Sequence, residues 1–243
     1  MENSERKDGN HHEVPLRGGR STSDVVRIGP CVHRPTAPNS PFVHDLLLHL
    51  ERVGFDGSPR FRGFDTGGRE ILSFIAGDMG TGAPPGAWSD VVLADAAGLL
   101  RRLHDATAGS PLTGTEETVC HNDFAPWNTV FRAGRPVAVI DFDDAGPGPR
   151  VRDLAYAAWC WLALGRASFG VAAQARRVGL LGEAYGMTPD RNLLDALELR
   201  QREILAKHQA ARRTDAVVRV TGEIDWFRVH RGEFRRRLGI MGA

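Results

Sequence analysis

Residues 117–146 read ETVCHNDFAPWNTVFRAGRPVAVIDFDDAG, and the order of residue types along this stretch decides the fold. Thr118–Cys120 is strand-like, HNDFAPWN is a proline-containing loop, and two apolar runs, 129–131 and 137–140, flank an Ala-Gly-Arg-Pro turn. If those runs pair antiparallel, Asn128 at the entry of the hairpin and Asp141 at its exit come side by side. An amide oxygen and a carboxylate placed together suit Mg2+, a hard cation that takes oxygen ligands. Asp123, presented by the loop, would face the same point, where a carboxylate can orient a hydroxyl and accept its proton.

Working outward, LAYAAWCWLAL (154–164) is the most apolar stretch and far shorter than the ~20 residues a membrane span requires, so it reads as a core helix. Further helices are expected at about 169–185, 193–213 and 223–238. Upstream, Ser89 is placed to cap a helix with Val92, Ala96, Leu99 and Leu103 on one face, within which His104 reads as the end of a core helix. The run AGDMGTGAPPGAW (76–88) is rich in Gly and Pro, as a connection between lobes would be. Before it lie a Gly-Gly turn, a small hairpin over 25–33, a helix opened by Ser40 and Pro41, and strands at 61–64 and 70–75. The organisation expected is a polar tail over 1–13, a β-rich N-terminal lobe over 14–76, a linker over 77–88 and a helical C-terminal lobe over 89–243.

HNDFAPWN followed by IDFDD resembles the H-x-D-x-x-x-x-N motif and metal-binding Asp of the aminoglycoside phosphotransferase and choline kinase family. GFDGSPRFRGFDTGGREILSFIAG resembles that family's passage from N-lobe helix to hinge, and PRVRDLAYAAWCWL its post-metal helix. The resemblance implies an α+β, bilobal, protein-kinase-like fold that clasps Mg2+ and ATP, with GTP as the other candidate, and moves the γ-phosphate to a hydroxyl of a small molecule. It assigns Asp123 as catalytic base, Asn128 and Asp141 as Mg2+ ligands, Asp153 as a support for the catalytic loop, and Phe74 and Ile75 as hinge residues whose main chain reads the base. His121 is expected to be structural, Asp153 also suits the positive end of its helix, and Trp127 is expected to pack in the core. Gly19, Ser21, Thr22 and Ser23 would lend backbone N–H groups to phosphates, although a Gly-Gly turn alone serves equally as a plain hairpin.

The family's strand lysine is missing, because lysine occurs only at positions 7 and 207. Arg34, in CVHRP, is the expected substitute, since a guanidinium holds two phosphate oxygens at once. The glutamate expected on the following helix has no clear match among His44, Asp45 and Glu51. These departures keep a second reading open, a nucleotide-binding pseudokinase acting as scaffold or sensor. A metal-dependent phosphohydrolase is a third, since His121, Asp123, Asp141 and Asp143 also read as a two-metal cluster.

Composition narrows the rest. A chain of 243 residues with 42% hydrophobic and 25% charged residues is globular and long enough to bury a core without disulfides. Its net charge of +1 gives no electrostatic footprint for nucleic acid. Three scattered cysteines and a polar N-terminus without an apolar signal segment point to the cytoplasm, with no membrane partner. From Gly186 onward 12 Lys and Arg stand against 8 Asp and Glu, a balance that leans away from polycationic aminoglycosides and toward a less cationic acceptor.

Overall fold

The structure is a computed structural model that describes residues 12–16, 24–81, 83–84, 86–166 and 169–240. The expected phosphate turn (Gly19, Ser21, Thr22, Ser23) and all of the polar tail except residues 12 and 13 lie outside the described residues.

The N-terminal part is an antiparallel sheet in the order β1 (Val14–Pro15), β2 (Val26–Ile28), β3 (Cys31–Arg34), β5 (Glu70–Ser73), β4 (Phe61–Phe64). Between β3 and β4 runs α1 (Ser40–Arg52), whose Val43, Leu46, Leu47 and Leu50 recur at helical spacing and are buried. Asn39, rather than Ser40, occupies the N-cap position, and Pro41 sits in the first turn. The helix stops where Gly54 takes a left-handed φ of 77° and Phe55 N–H returns to the Leu50 carbonyl.

The connection after the sheet is partly a strand. β6 (Asp78–Met79) pairs with β8 (Thr129–Arg132), which pairs in turn with β9 (Arg135–Val139). The expected hairpin therefore exists with its turn at Ala133-Gly134, both at positive φ, and the Ile140 N–H donates to the Asn128 carbonyl at 2.9 Å to close its mouth. β7 (Thr118–Cys120) pairs with β10 (Gly146–Gly148), bringing the two ends of the decisive stretch together.

The remaining chain is helical: α2 (Asp90–Thr107), α3 (Arg150–Leu162), α4 (Val171–Tyr185), α5 (Arg191–Ala210) and α6 (Thr214–Arg237). Ser89 caps α2 by accepting from Val92 N–H. Leu93, Leu99, Leu100 and Leu103 of α2 join Leu154, Trp161, Leu181 and Leu197 in one continuous core. Each such leucine contributes about 1.5–3 kcal/mol through burial. α6 begins at Thr214, well before its expected start. Val220 is buried and Arg219 pairs with Glu223 one turn on, so packing and an ion pair override the weak helical signal of TDAVVRVTG. Small sheet and larger helical part together form the mixed α+β architecture expected of a kinase-like fold.

Candidate active site

The 3-10 turn Pro126–Asn128 and the loop before it set out the centre of the site. Asn128 donates from Nδ2 to both the carbonyl (3.0 Å) and Oδ2 (2.7 Å) of Asp123. Tyr156, on α3, donates its hydroxyl to the other carboxylate oxygen at 2.5 Å. Asp123 is thus fixed in rotation by two donors on opposite oxygens. His121, buried, accepts from the Asp123 N–H at Nδ1 (3.2 Å) and donates from Nε2 to the Ile140 carbonyl (3.0 Å), so its ring links loop to hairpin.

Asp153 is fully buried beneath the loop. Its carboxylate accepts from His121 N–H (2.5 Å), Asn122 N–H (2.8 Å) and His104 Nε2 (3.1 Å). Burial raises its pKa, but the His104 hydrogen bond and the charges and N–H groups around it outweigh that and hold it below the usual carboxylate range. His104 is bonded on its other nitrogen to the Tyr185 hydroxyl at 2.7 Å. Cys120 completes a buried group with His104 and Asp153, but burial and the Asp153 charge keep its thiol protonated far above neutrality. Both ring nitrogens of His104 are engaged and the Cys120 thiol donates to the Pro149 carbonyl, so the cluster ties the loop to α2 and α3.

Asp141 follows the hairpin at a left-handed φ of 65°. Desolvation and the nearby Asp143 push its pKa up, His121 and Arg34 pull it down, and Asp123 pushes it up again, so the two carboxylates share one field. A cation between them would relieve that repulsion. Asn128 fits the same role: its Nδ2 is committed to Asp123, which leaves Oδ1 as the outward donor atom. This oxygen set suits Mg2+.

Arg34, at the end of β3, lies within 3.8 Å of Asp141. Its Nε donates to Glu70 Oε1 at 2.5 Å, and its two terminal nitrogens grip Asp143 at 2.5 and 3.2 Å. Burial lowers and these carboxylates raise its pKa, with a net rise, so the guanidinium is permanently charged. The carboxylate that holds Arg34 comes from the sheet and not from α1: Glu70, wholly buried, stands opposite Arg34 in the β3–β5 register and also bonds His44 of α1. Asp144 is exposed and pairs with Lys207.

At the hinge, Phe74 N–H already donates to the Pro30 carbonyl (2.8 Å), and Arg132 occupies the Ala76 carbonyl (2.9 Å). Arg27 covers the Phe74 ring at 3.9 Å. The Phe74 N–H and the Ala76 carbonyl are therefore already engaged within the chain. Trp127 corrects its expectation: it is 39% exposed rather than packed, because the 3-10 turn points it outward beside the buried Pro126 and Asn128. Sequence reasoning missed Glu70 and Tyr156. Glu70 becomes visible only through strand register, and Tyr156 only through the docking of α3 under the loop.

Residues 90–199 match the sequence profile of the phosphotransferase enzyme family. Over 199 residues the chain is 38% identical to the trifolitoxin immunity protein of Rhizobium leguminosarum bv. trifolii, a match covering 72% of this chain and 75% of that one. The chain belongs to the phosphotransferase enzyme family. As a member it is a small-molecule kinase, and its fold agrees. It superposes with a TM-score of 0.57 on an aminoglycoside phosphotransferase from Alicyclobacillus acidocaldarius, at 15% identity, covering 95% of this chain and 99% of the other. The ternary complex of streptomycin, ATP and APH(2")-IIa matches with a TM-score of 0.55 at 15% identity, covering 89% and 93%.

Proposed function

We propose that this phosphotransferase moves the γ-phosphate of ATP to a hydroxyl of a small molecule, with Asp123 as the base. The observation that carries this reading is the double restraint on Asp123 by Asn128 and Tyr156, within the same field as Asp141. A carboxylate fixed in this way can accept a hydroxyl proton and hold the oxygen in line for attack. Asn128 and Asp141 would hold Mg2+, which supplies charge neutralisation of the transferring phosphate when bound. Arg34 would meet the nucleotide phosphates by exchanging Asp143 for phosphate oxygens on its two terminal nitrogens, while Glu70, backed by His44, keeps its Nε in place. Phe74 and Ile75 read the base, with GTP as the other candidate nucleotide.

The acceptor follows from charge. Of the eight carboxylates after Gly186, Asp195, Glu198, Glu203, Glu223, Asp225 and Glu233 are each ion-paired with arginine. Little negative charge is left over for a polycation, which favours a neutral or weakly charged hydroxyl compound. The rhizobial relative is named for immunity, and we carry that over as a protective role in which a toxic compound is inactivated by phosphorylation. We place this activity in the cytoplasm, where thiols stay reduced, in keeping with Cys31, Cys120 and Cys160 all being free. Among the described residues no helix is long and apolar enough to cross a membrane.

The test is nucleotide consumption by the purified protein with ATP or GTP across amino alcohols, sugars, macrolides and aminoglycosides, with mass spectrometry of the acceptor. A phosphorylated acceptor and loss of turnover without Mg2+ support the reading. Nucleotide binding with no turnover on any acceptor or on water would instead favour the pseudokinase, and phosphate release from a monoester without nucleotide would favour the hydrolase.

A further inference from the structure

Asn122, immediately before Asp123, holds a left-handed φ of 63°, a conformation that a residue with a Cβ adopts at a cost. All four of its hydrogen-bonding groups are engaged. Its N–H donates to Asp153 (2.8 Å), and its side-chain Nδ2 donates to the Asp144 carbonyl (2.9 Å). Its side-chain oxygen accepts from Arg152 Nε at 2.7 Å, and its main-chain carbonyl accepts from Arg200 Nη2, also at 2.7 Å.

The two arginines come from different helices, α3 and α5, and Glu203 of α5 joins them. It takes both terminal nitrogens of Arg152 (3.0 and 2.8 Å) and Nη1 of Arg200 (2.5 Å). Burial raises the Glu203 pKa, but the two guanidinium groups outweigh it and keep the bridge ionised. Arg200 is itself buried, and its guanidinium carbon lies 5.2 Å from the centre of the Tyr156 ring, whose hydroxyl bonds Asp123. A buried guanidinium that stacks on one restraint of Asp123 and bonds the residue before it acts on both sides of the same carboxylate.

We propose that Arg200 and Arg152, tied by Glu203, are positioning residues that impose the left-handed conformation of Asn122 and thereby aim Asp123 at the acceptor hydroxyl. The proposal rests on the reading of Asp123 as the base. It also couples α5 to the catalytic loop, so a displacement of that helix moves the carboxylate.

The experiment compares wild type with Arg200→Ala, Arg200→Lys and, as a control on the same helix, Arg202→Ala, whose exposed side chain pairs with Glu198. Two readouts are taken: kcat for ATP turnover with water as acceptor alongside the Kd for ADP, and amide hydrogen exchange over residues 121–124. Misplacing a reacting group by about 1 Å costs roughly 100-fold. Arg200→Ala should therefore lower kcat by about 10- to 100-fold with an ADP Kd within about twofold, and Arg200→Lys, which restores one donor, should recover part of the loss. Loop exchange should rise by about tenfold or more in Arg200→Ala, as local opening becomes easier, and stay at the wild-type rate in Arg202→Ala. If Arg200→Ala does not fold, Asn122→Ala reads the clamp from its other side, losing both side-chain bonds while keeping a Cβ at positive φ. Unchanged loop exchange in the folded variant overturns the proposal, as does a parallel loss of kcat and ADP affinity. An inactive wild type would overturn the base assignment, whereas the exchange measurement still decides whether the arginines hold the loop.

Discussion

Arg34 and Glu70 stand directly opposite one another on neighbouring antiparallel strands, with Nε and Oε1 2.5 Å apart and the carboxylate wholly out of solvent. The ion pair that orients Arg34 is thereby built inside the sheet, and α1 contributes His44 to its far side. Arg34→Ala should weaken ATP binding by about 10- to 100-fold, the range for losing a hydrogen bond to a charged group, while adenosine binding is unchanged. Isothermal titration with both ligands checks this. Equal losses for both would reduce Arg34 to a structural strand-end residue. Glu70→Gln should show the same selectivity with a smaller loss, because the strand position survives and the charge does not.

Asp123→Asn should lower kcat by about 10²–10⁴-fold and leave nucleotide affinity nearly unchanged, since the amide keeps the shape and loses the basicity. Steady-state turnover and an ADP titration on the same preparation measure the two quantities. Retention of wild-type kcat would remove Asp123 from the chemistry.

Asp141→Ala should abolish Mg2+-dependent turnover with the fold intact. The control is far-ultraviolet circular dichroism, and the readout is turnover across a Mg2+ titration. An unchanged metal dependence would contradict the assignment of Asn128 and Asp141 as joint Mg2+ ligands.

Much of this site is legible in the order of residues along 117–146. Hairpin periodicity, a Pro-bearing loop and two oxygen-bearing side chains at the hairpin mouth are local properties, and local properties survive in a single sequence. Ser89 as a cap and Phe61–Phe64 as a strand are legible for the same reason. Glu70, Tyr156 and Arg200 are not, because each acts on a residue at least 33 positions away. Their roles depend on how strands register and helices dock, which no spacing encodes. Trp127 departs from the usual burial of large aromatics because a tight turn must keep Pro126 and Asn128 inside.

Stability should respond to acid through Asp153. Its pKa lies below the ordinary carboxylate value in the folded state, so its contribution is complete above the unfolded value near ~4 and is lost as pH falls through the folded one. Asp153→Ala should cost about 3–5 kcal/mol at pH 7, as expected for breaking a buried charged network, and the gap to wild type should narrow on acidification. Urea unfolding of both proteins at pH 7 and at progressively lower pH tests the trend. A gap that widens in acid would show the sign to be wrong.

Kanamycin-like aminoglycosides should be poor acceptors, and expression of the protein should confer little resistance to them. The ion pairing of the α5 and α6 carboxylates with arginine is the reason. Saturable phosphorylation of kanamycin at micromolar concentration would overturn this expectation.

Gly77 and Gly80 bracket β6, and a Cβ on either would collide with main-chain carbonyls, of Phe131 in one case and of Pro126 in the other. The chain leaving β5 is therefore welded to the β8–β9 hairpin within a few residues, and Arg132 pins the Ala76 carbonyl just before it. A side-chain methyl added at position 77 or 80 would therefore push on β8 or on Pro126 and throw the Asp123–Asn128 loop out of true from a distance.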